Sequence, residues 1–203
     1  MSLLLETIKI ENGKPANLEW HNRRFNKARN DLFSLAELDL KELLVIPESC
    51  RTGIFRCRIL YGESIDKIEF IPYQPREISS LQVVRDDSIE YAYKYADRSN
   101  LQALYDQRGP ADEIMIIKKG LVTDCFIGNL VFFDGQKWWT PDQPLLQGTQ
   151  RQKLLDEEQI YEARITENDL NAYEEVGLIN VFFDLNNMPR IKRGKGYPSV
   201  GIY

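Results

Sequence analysis

The chain has 203 residues, of which 43% are hydrophobic and 28% charged, with a formal net charge of −5. This is the make-up of a soluble globular protein with one sizeable domain or two small ones. The acidic balance and the lack of a sustained basic stripe argue against a nucleic-acid role, and no apolar run approaches the roughly 20 residues that span a bilayer.

Three cysteines, Cys50, Cys57 and Cys125, show no metal-ligand spacing and no obvious pairing. They are expected to be free thiols in a reducing, cytoplasmic compartment. A single histidine, His21, excludes a multi-histidine metal centre, and no metal is expected. The leucine run near the start is too short for a signal peptide and lacks a basic flank.

In chain order, Leu3 to Ile10 reads as a strand, turned at Asn12-Gly13. Asn17 can cap a helix from Leu18 to about Leu32. On it Leu18, His21, Phe25, Ala28 and Leu32 share one face, while Arg23, Arg24, Lys27 and Arg29 lie outside that stripe. A short helix is expected from Leu38 to Val45, stopped by Pro47. Thr52 to Tyr61 alternates, with Phe55, Cys57, Ile59 and Tyr61 on one side, and a strand follows around Lys67 to Tyr73. The stretch from Pro72 to Ser80 holds two prolines and two serines and is the expected linker. The expected division is therefore a domain over 1–74, a linker over 75–84 and a second domain over 85–203.

Beyond the linker, Leu81 to Arg85 and Ile89 to Tyr93 read as extended, and Asp97 can cap a helix from Arg98 to Gln107. Ile114 to Ile117 is an apolar run that Lys118-Lys119-Gly120 turns back into Leu121-Val122-Thr123. Leu130 to Phe133 and Gln136 to Thr140 are bridged by Asp134-Gly135, a two-residue hairpin signal. Pro141 ends the pairing because it has no amide hydrogen. A helix-like run starts near Gln152. After it come an extended Ile160 to Ile165, a helical turn over Asn168 to Tyr173, a buried strand over Glu175 to Phe183 and a short one over Met188 to Ile191. The Gly-, Lys- and Pro-rich tail is expected to be mobile.

Two stretches suggest chemistry. Gly148-Thr149-Gln150-Arg151 stands at a helix start, where outward-pointing N–H groups can hold an anion such as a phosphate. Thr149 as an ordinary N-cap explains the same residues. Lys94 lies in Tyr91-Ala92-Tyr93-Lys94-Tyr95-Ala96-Asp97-Arg98. Desolvation among tyrosines and alanines lowers an amine's pKa and favours the neutral form that a Schiff base needs. A strand-end lysine with its head in solvent is the alternative.

Motifs in order along nearly the whole chain resemble the class IV aminotransferases, which are pyridoxal-phosphate enzymes of fold type IV. Leu5-Glu6-Thr7-Ile8 resembles the family's opening FETI-like strand, and His21-Asn22-Arg23-Arg24-Phe25 its HxxRL helix. Lys94-Tyr95-Ala96-Asp97-Arg98 resembles the KxxNR segment of 4-amino-4-deoxychorismate lyases, with Asp97 for asparagine. Asp112-Glu113, Gly120-Leu121-Val122-Thr123-Asp124 and Asn129-Leu130 resemble the DE…GxVxE…N-[LI] run. Thr140-Pro141 and Leu146-Gln147-Gly148-Thr149-Gln150-Arg151 resemble the TP…LxGxxR finish.

The resemblance implies a mixed α/β or α+β fold in two domains, a small α/β N-terminal one and a β-barrel-like C-terminal one, with pyridoxal 5'-phosphate in the cleft between them. It implies that Lys94 holds the cofactor covalently and then shuttles the substrate's proton. Arg24 and the backbone N–H groups of Thr149 and Gln150 hold the phosphate, Leu146 packs on the ring, and Asp124 faces the pyridine nitrogen. Arg151 and Asn129 are expected as supports, and His21 as a packed helix residue outside the mechanism. The expected partners are a small-molecule amine substrate and a second copy of the chain in a homodimer, with no nucleic acid and no membrane.

The chain departs from the family in having Asp124 where glutamate is usual, a loss of reach on the order of 1.5 Å. It is also expected to be shortened at its N-terminus, which bears on the substrate pocket. The reaction branch stays open. The lyase outcome, release of pyruvate and the folate precursor 4-aminobenzoate, is preferred. Transamination of branched-chain or D-amino acids and binding without turnover are the alternatives.

Overall fold

The computed structural model describes residues 3–198. The end of the tail expected to be mobile, residues 199–203, lies outside them. The fold is α+β with several sheets. The chain forms two compact units. The first holds Met1–Pro75 together with Tyr93–Asp97, and the second holds Arg76–Ala92 with Arg98–Tyr203.

In the first unit, β1 (Leu4–Glu11), β2 (Lys14–Pro15), β3 (Ile54–Tyr61) and β4 (Ile65–Pro72) form an antiparallel sheet in the order β2-β1-β3-β4. Asn12 and Gly13 join β1 to β2 with φ of 49° and 76°. Two consecutive positive φ values match the right-handed twist of the strands they join, which explains why this dipeptide makes a tight hairpin.

Helix α1 (Leu18–Phe33) packs Phe25 and Ala28 onto Leu4, Ile8, Ile10, Cys57, Ile59 and Tyr61. Burying a side chain such as Phe25 contributes roughly 1.5–3 kcal/mol. Asn17 is the N-cap residue, as expected, but it sits at φ 54° and its side chain makes no cap hydrogen bond. The second helix is shorter than its sequence suggests. α2 (Leu40–Leu43) is a single turn, started by the Asp39 carboxylate and held to α1 where Asn22 Oδ1 accepts from Leu40 N at 2.8 Å.

In the second unit, β5 (Leu81–Arg85) connects through α3 (Ser99–Tyr105) to β6 (Glu113–Lys118). β6 runs parallel to β5 and antiparallel to β7 (Leu121–Val122). α3 is capped at Arg98 rather than Asp97. The other sheet has five strands in the order β10-β9-β8-β11-β12: β8 (Asn129–Phe133), β9 (Trp138–Pro141), β10 (Tyr161–Ala163), β11 (Glu175–Ile179) and β12 (Arg190–Lys192). α4 (Thr149–Asp156) lies between β9 and β10 in the chain.

β8 is buried on both faces, which its unbroken Leu130-Val131-Phe132 run requires. Leu130 and Phe132 join the core that holds Met115 and Ile117, while Val131 joins Leu154 of α4 and Ile179. The β8–β9 connection is longer than two residues. Asp134 Oδ1 accepts from the backbone N–H groups of Gln136 and Lys137, each at 2.8 Å, and this carboxylate-centred turn fills the gap before Trp138. No helix of the described residues is long and apolar enough to cross a membrane.

Candidate active site

β1 and α1 build the first group of site residues. Alternation along β1 places Leu4, Glu6, Ile8 and Ile10 on the face that meets α1, and all four are fully buried. Three of them are aliphatic and one is a carboxylate, which needs charged or donating partners to be tolerated there. α1 supplies both kinds. His21 Nδ1 lies 2.7 Å from Glu6 Oε2. Arg24, one helical turn on, donates from Nε to Glu6 Oε1 at 2.8 Å and from Nη2 to Oε2 at 2.6 Å. The planar fork of a guanidinium matches a carboxylate in this way.

Burial of Glu6 works to raise its pKa. The charge of Arg24 and the hydrogen bonds from His21 and Arg24 outweigh it and bring the pKa down to about 2. His21 is driven the other way. Burial lowers its pKa, and the charges of Arg24 and Lys94 add to that, against the pull of Glu6. His21 is therefore neutral near pH 7, packed and hydrogen-bonded as its place on the helix face suggested.

Lys94 reaches this group through the backbone. Leu5 N donates to Lys94 O at 2.8 Å and Ala96 N to Leu3 O at 2.8 Å, on either side of an antiparallel bridge between Leu4 and Tyr95. The stretch read as extended, Ile89 to Tyr93, forms no strand. The pairing falls just after it, at Tyr95. Tyr93 and Tyr95 pack against the first unit's core, and the Tyr93 hydroxyl donates to Asp31 Oδ2 at 3.0 Å. Lys94 is half-buried between them.

The second unit holds the other expected residues. Asp124 follows β7 and is 5% exposed. Its Oδ1 accepts from Asn129 Nδ2 at 2.7 Å and its Oδ2 from Leu146 N at 2.9 Å. Burial raises its pKa to about 7, which the hydrogen bonds from Leu146 and Asn129 and the charge of Arg151 only partly offset. Leu146 is half-buried. Thr149 and Gln150 are each 5% exposed and begin α4. Gly148, not Thr149, is the N-cap residue, and no side chain caps the helix. The capping explanation of Thr149 thus does not apply.

Arg151, 1% exposed, supports this corner as expected. Its guanidinium donates to Pro141 O at 2.9 Å, Gln147 Oε1 at 3.0 Å, Glu162 Oε1 at 2.6 Å and Thr140 Oγ1 at 3.3 Å.

The structure therefore brings Arg24 and His21 to one buried carboxylate, with the Lys94 backbone paired to the same strand, and it brings Asp124, Leu146 and the start of α4 to one asparagine. Glu6 and the Asn129–Gly148 contact went unread in the sequence. For Glu6 a signal existed, since β1's alternation puts a carboxylate among Leu4, Ile8 and Ile10.

Comparison with known proteins adds the family context. Residues 64–185 match the amino-transferase class IV family. An uncharacterized protein of Haemophilus influenzae is 43% identical over 180 residues, covering 87% of this chain and 96% of its own length. The crystal structure of a candidate 4-amino-4-deoxychorismate lyase from Haemophilus somnus is 39% identical, with a TM-score of 0.84 over 89% of this chain and 96% of that one. A hypothetical aminotransferase from Mycobacterium tuberculosis, in its PLP-bound form, shares the fold at 16% identity, with a TM-score of 0.76 over 99% of this chain and 84% of that one.

Proposed function

We propose that this chain, which belongs to the amino-transferase class IV family, is a pyridoxal-phosphate-dependent lyase that releases pyruvate and 4-aminobenzoate from 4-amino-4-deoxychorismate. Each unit carries chemistry that suits the cofactor: the first a half-buried lysine for its aldehyde and a clamped guanidinium for its phosphate, the second a helix start for its phosphate and a buried carboxylate for its ring nitrogen. Bound pyridoxal phosphate supplies the electron sink for the charge left when a proton departs next to the substrate nitrogen.

The chain's own residues supply the rest. Lys94 would provide the amine that holds the aldehyde and the base that removes and redelivers the substrate's proton. Arg24, oriented by Glu6, pairs with the phosphate. The first-turn N–H groups of Thr149 and Gln150 add the helix-start contribution. Leu146 would supply an apolar surface for the ring. Asp124 keeps the ring nitrogen protonated, and a cation beside it relieves the cost of its own buried charge.

The observation that carries the choice of lyase is the 39% identity with the Haemophilus somnus protein over 89% of this chain. The Lys94-to-Arg98 segment agrees with it. The active form is taken to be a homodimer, as the family resemblance implies, and its mass in solution tests this.

The deciding experiment incubates the cofactor-loaded protein with 4-amino-4-deoxychorismate and no keto-acid acceptor. Steady release of pyruvate and 4-aminobenzoate is expected. No release there, with turnover appearing once a keto acid and an amino donor are supplied, would make the protein a transaminase instead.

A further inference from the structure

We propose that Asn129 is a positioning residue, a strut that fixes the spacing between the Asp124 carboxylate and the first turn of α4. The proposal rests on the reading above, in which those two groups take the ring nitrogen and the phosphate of one cofactor.

Asn129 opens β8, is 4% exposed, and is bridged through its backbone to Asp124. Its side-chain nitrogen donates to Asp124 Oδ1 at 2.7 Å and to Leu146 O at 2.9 Å. Leu146 N returns a bond to Asp124 Oδ2 at 2.9 Å, so three residues close a ring of hydrogen bonds. The amide can point only one way. Reversed, its oxygen would face the Asp124 carboxylate and the Leu146 carbonyl, both acceptors.

The other end of the same amide meets Gly148. A Cβ added at Gly148 would lie 1.9 Å from Asn129 Oδ1. Gly148 has φ −69° and ψ 141°, a conformation open to any residue, so glycine is needed there for room and not for backbone freedom. One amide thus touches the carboxylate on one side and the residue that starts α4 on the other. An aromatic ligand whose phosphate hangs on a short arm would present its ring nitrogen and its phosphate within a narrow range of separations. Placement errors of about half an ångström weaken such a site, which is why a locked neighbour matters.

The test is a double-variant cycle on the full-length protein, reading pyridoxal phosphate affinity and the pH titration of the bound cofactor's absorbance. Asn129→Ala removes the amide. Gly148→Ala removes no donor but drives a methyl group into it. Each single variant is expected to weaken binding about tenfold and to move the absorbance titration. The double variant is expected to bind no worse than Asn129→Ala alone, because the clash has lost its partner.

Affinities within twofold of wild type with an unmoved titration, or losses that multiply in the double variant, would overturn the strut. If Asn129→Ala does not fold, Gly148→Ala alone carries the test. Failure of the underlying reading looks different: Asp124→Ala would then bind the cofactor with wild-type affinity and spectrum.

Discussion

Arg24 donates to both carboxylate oxygens of Glu6, from Nε at 2.8 Å and from Nη2 at 2.6 Å, and Glu6 is fully buried. A charged fork is therefore held by a strand before any ligand arrives. Breaking a buried pair by removing one charge typically costs about 3–5 kcal/mol, because the remaining charge stays desolvated. Glu6→Gln is expected to lose stability of that order in urea unfolding at pH 7. Its affinity for pyridoxal phosphate is also expected to fall by about tenfold or more, since Arg24 loses its orienting partner. A variant as stable as wild type would show that the pair is not a constraint.

The same pair sets an acid limit. Glu6 titrates near 4.5 in an unfolded chain and near 2 in the fold. A folded value below the unfolded one gives stability that is present above pH 4.5 and lost as pH falls toward 2, roughly 3 kcal/mol in all. Unfolding free energies measured between pH 5 and pH 2 are expected to show this loss, and Glu6→Gln to lack its share of it.

His21 acts in a separate window. Its folded pKa lies below the ordinary 6.5, chiefly through burial. The unfolded chain takes up a proton there that the fold refuses, so stability drops as pH falls below about 6.5. His21→Asn is expected to be less stable at pH 7 but to show a flatter slope between pH 7 and pH 5. An unchanged slope in that variant would assign the effect elsewhere.

Asp124 limits the other side. Its pKa rises from 3.8 to about 7 in the fold. A raised folded value gives stability that is full below pH 3.8 and lost as pH rises through 7. The cofactor-free protein is therefore expected to weaken as pH rises from about 4 to 7 and to level off above that. Loading with pyridoxal phosphate is expected to remove most of that decline, because the ring nitrogen's proton places a cation beside the carboxylate. Parallel declines with and without cofactor would count against Asp124 as the ring-nitrogen partner.

Arg151 supports the second unit from inside. It is 1% exposed and bonds to Pro141, Gln147, Thr140 and Glu162. Arg151→Met keeps the volume and removes the donors, leaving the Pro141 carbonyl and Thr140 hydroxyl short of partners. A loss of about 2–4 kcal/mol is expected in urea unfolding. A loss under 0.5 kcal/mol would mean that the half-exposed Glu162 and solvent had taken over these bonds.

Local chemistry was legible in the sequence, and long-range chemistry was not. Asn12-Gly13 announced its hairpin because the turn needs two residues that tolerate positive φ. Cys57, Ile59 and Tyr61 announced a buried face by alternation alone. Asp134-Gly135 misled, because a carboxylate able to accept from two later N–H groups competes with the tight turn that the dipeptide usually makes. The return of Tyr95 to Leu4 joins residues about ninety positions apart, and no window of sequence carries such a pairing. Glu6 was readable but unread. The role of Gly148 was not readable, since its need for space exists only once Asn129 lies beside it.

Borohydride reduction of the cofactor-loaded protein, followed by peptide mapping, tests most directly whether Lys94 is the cofactor lysine. A single reduced cofactor label is expected, on the peptide containing Lys94 and absent from Lys94→Ala. A label on another lysine, or an unlabelled wild-type protein that still turns over substrate, would contradict that assignment.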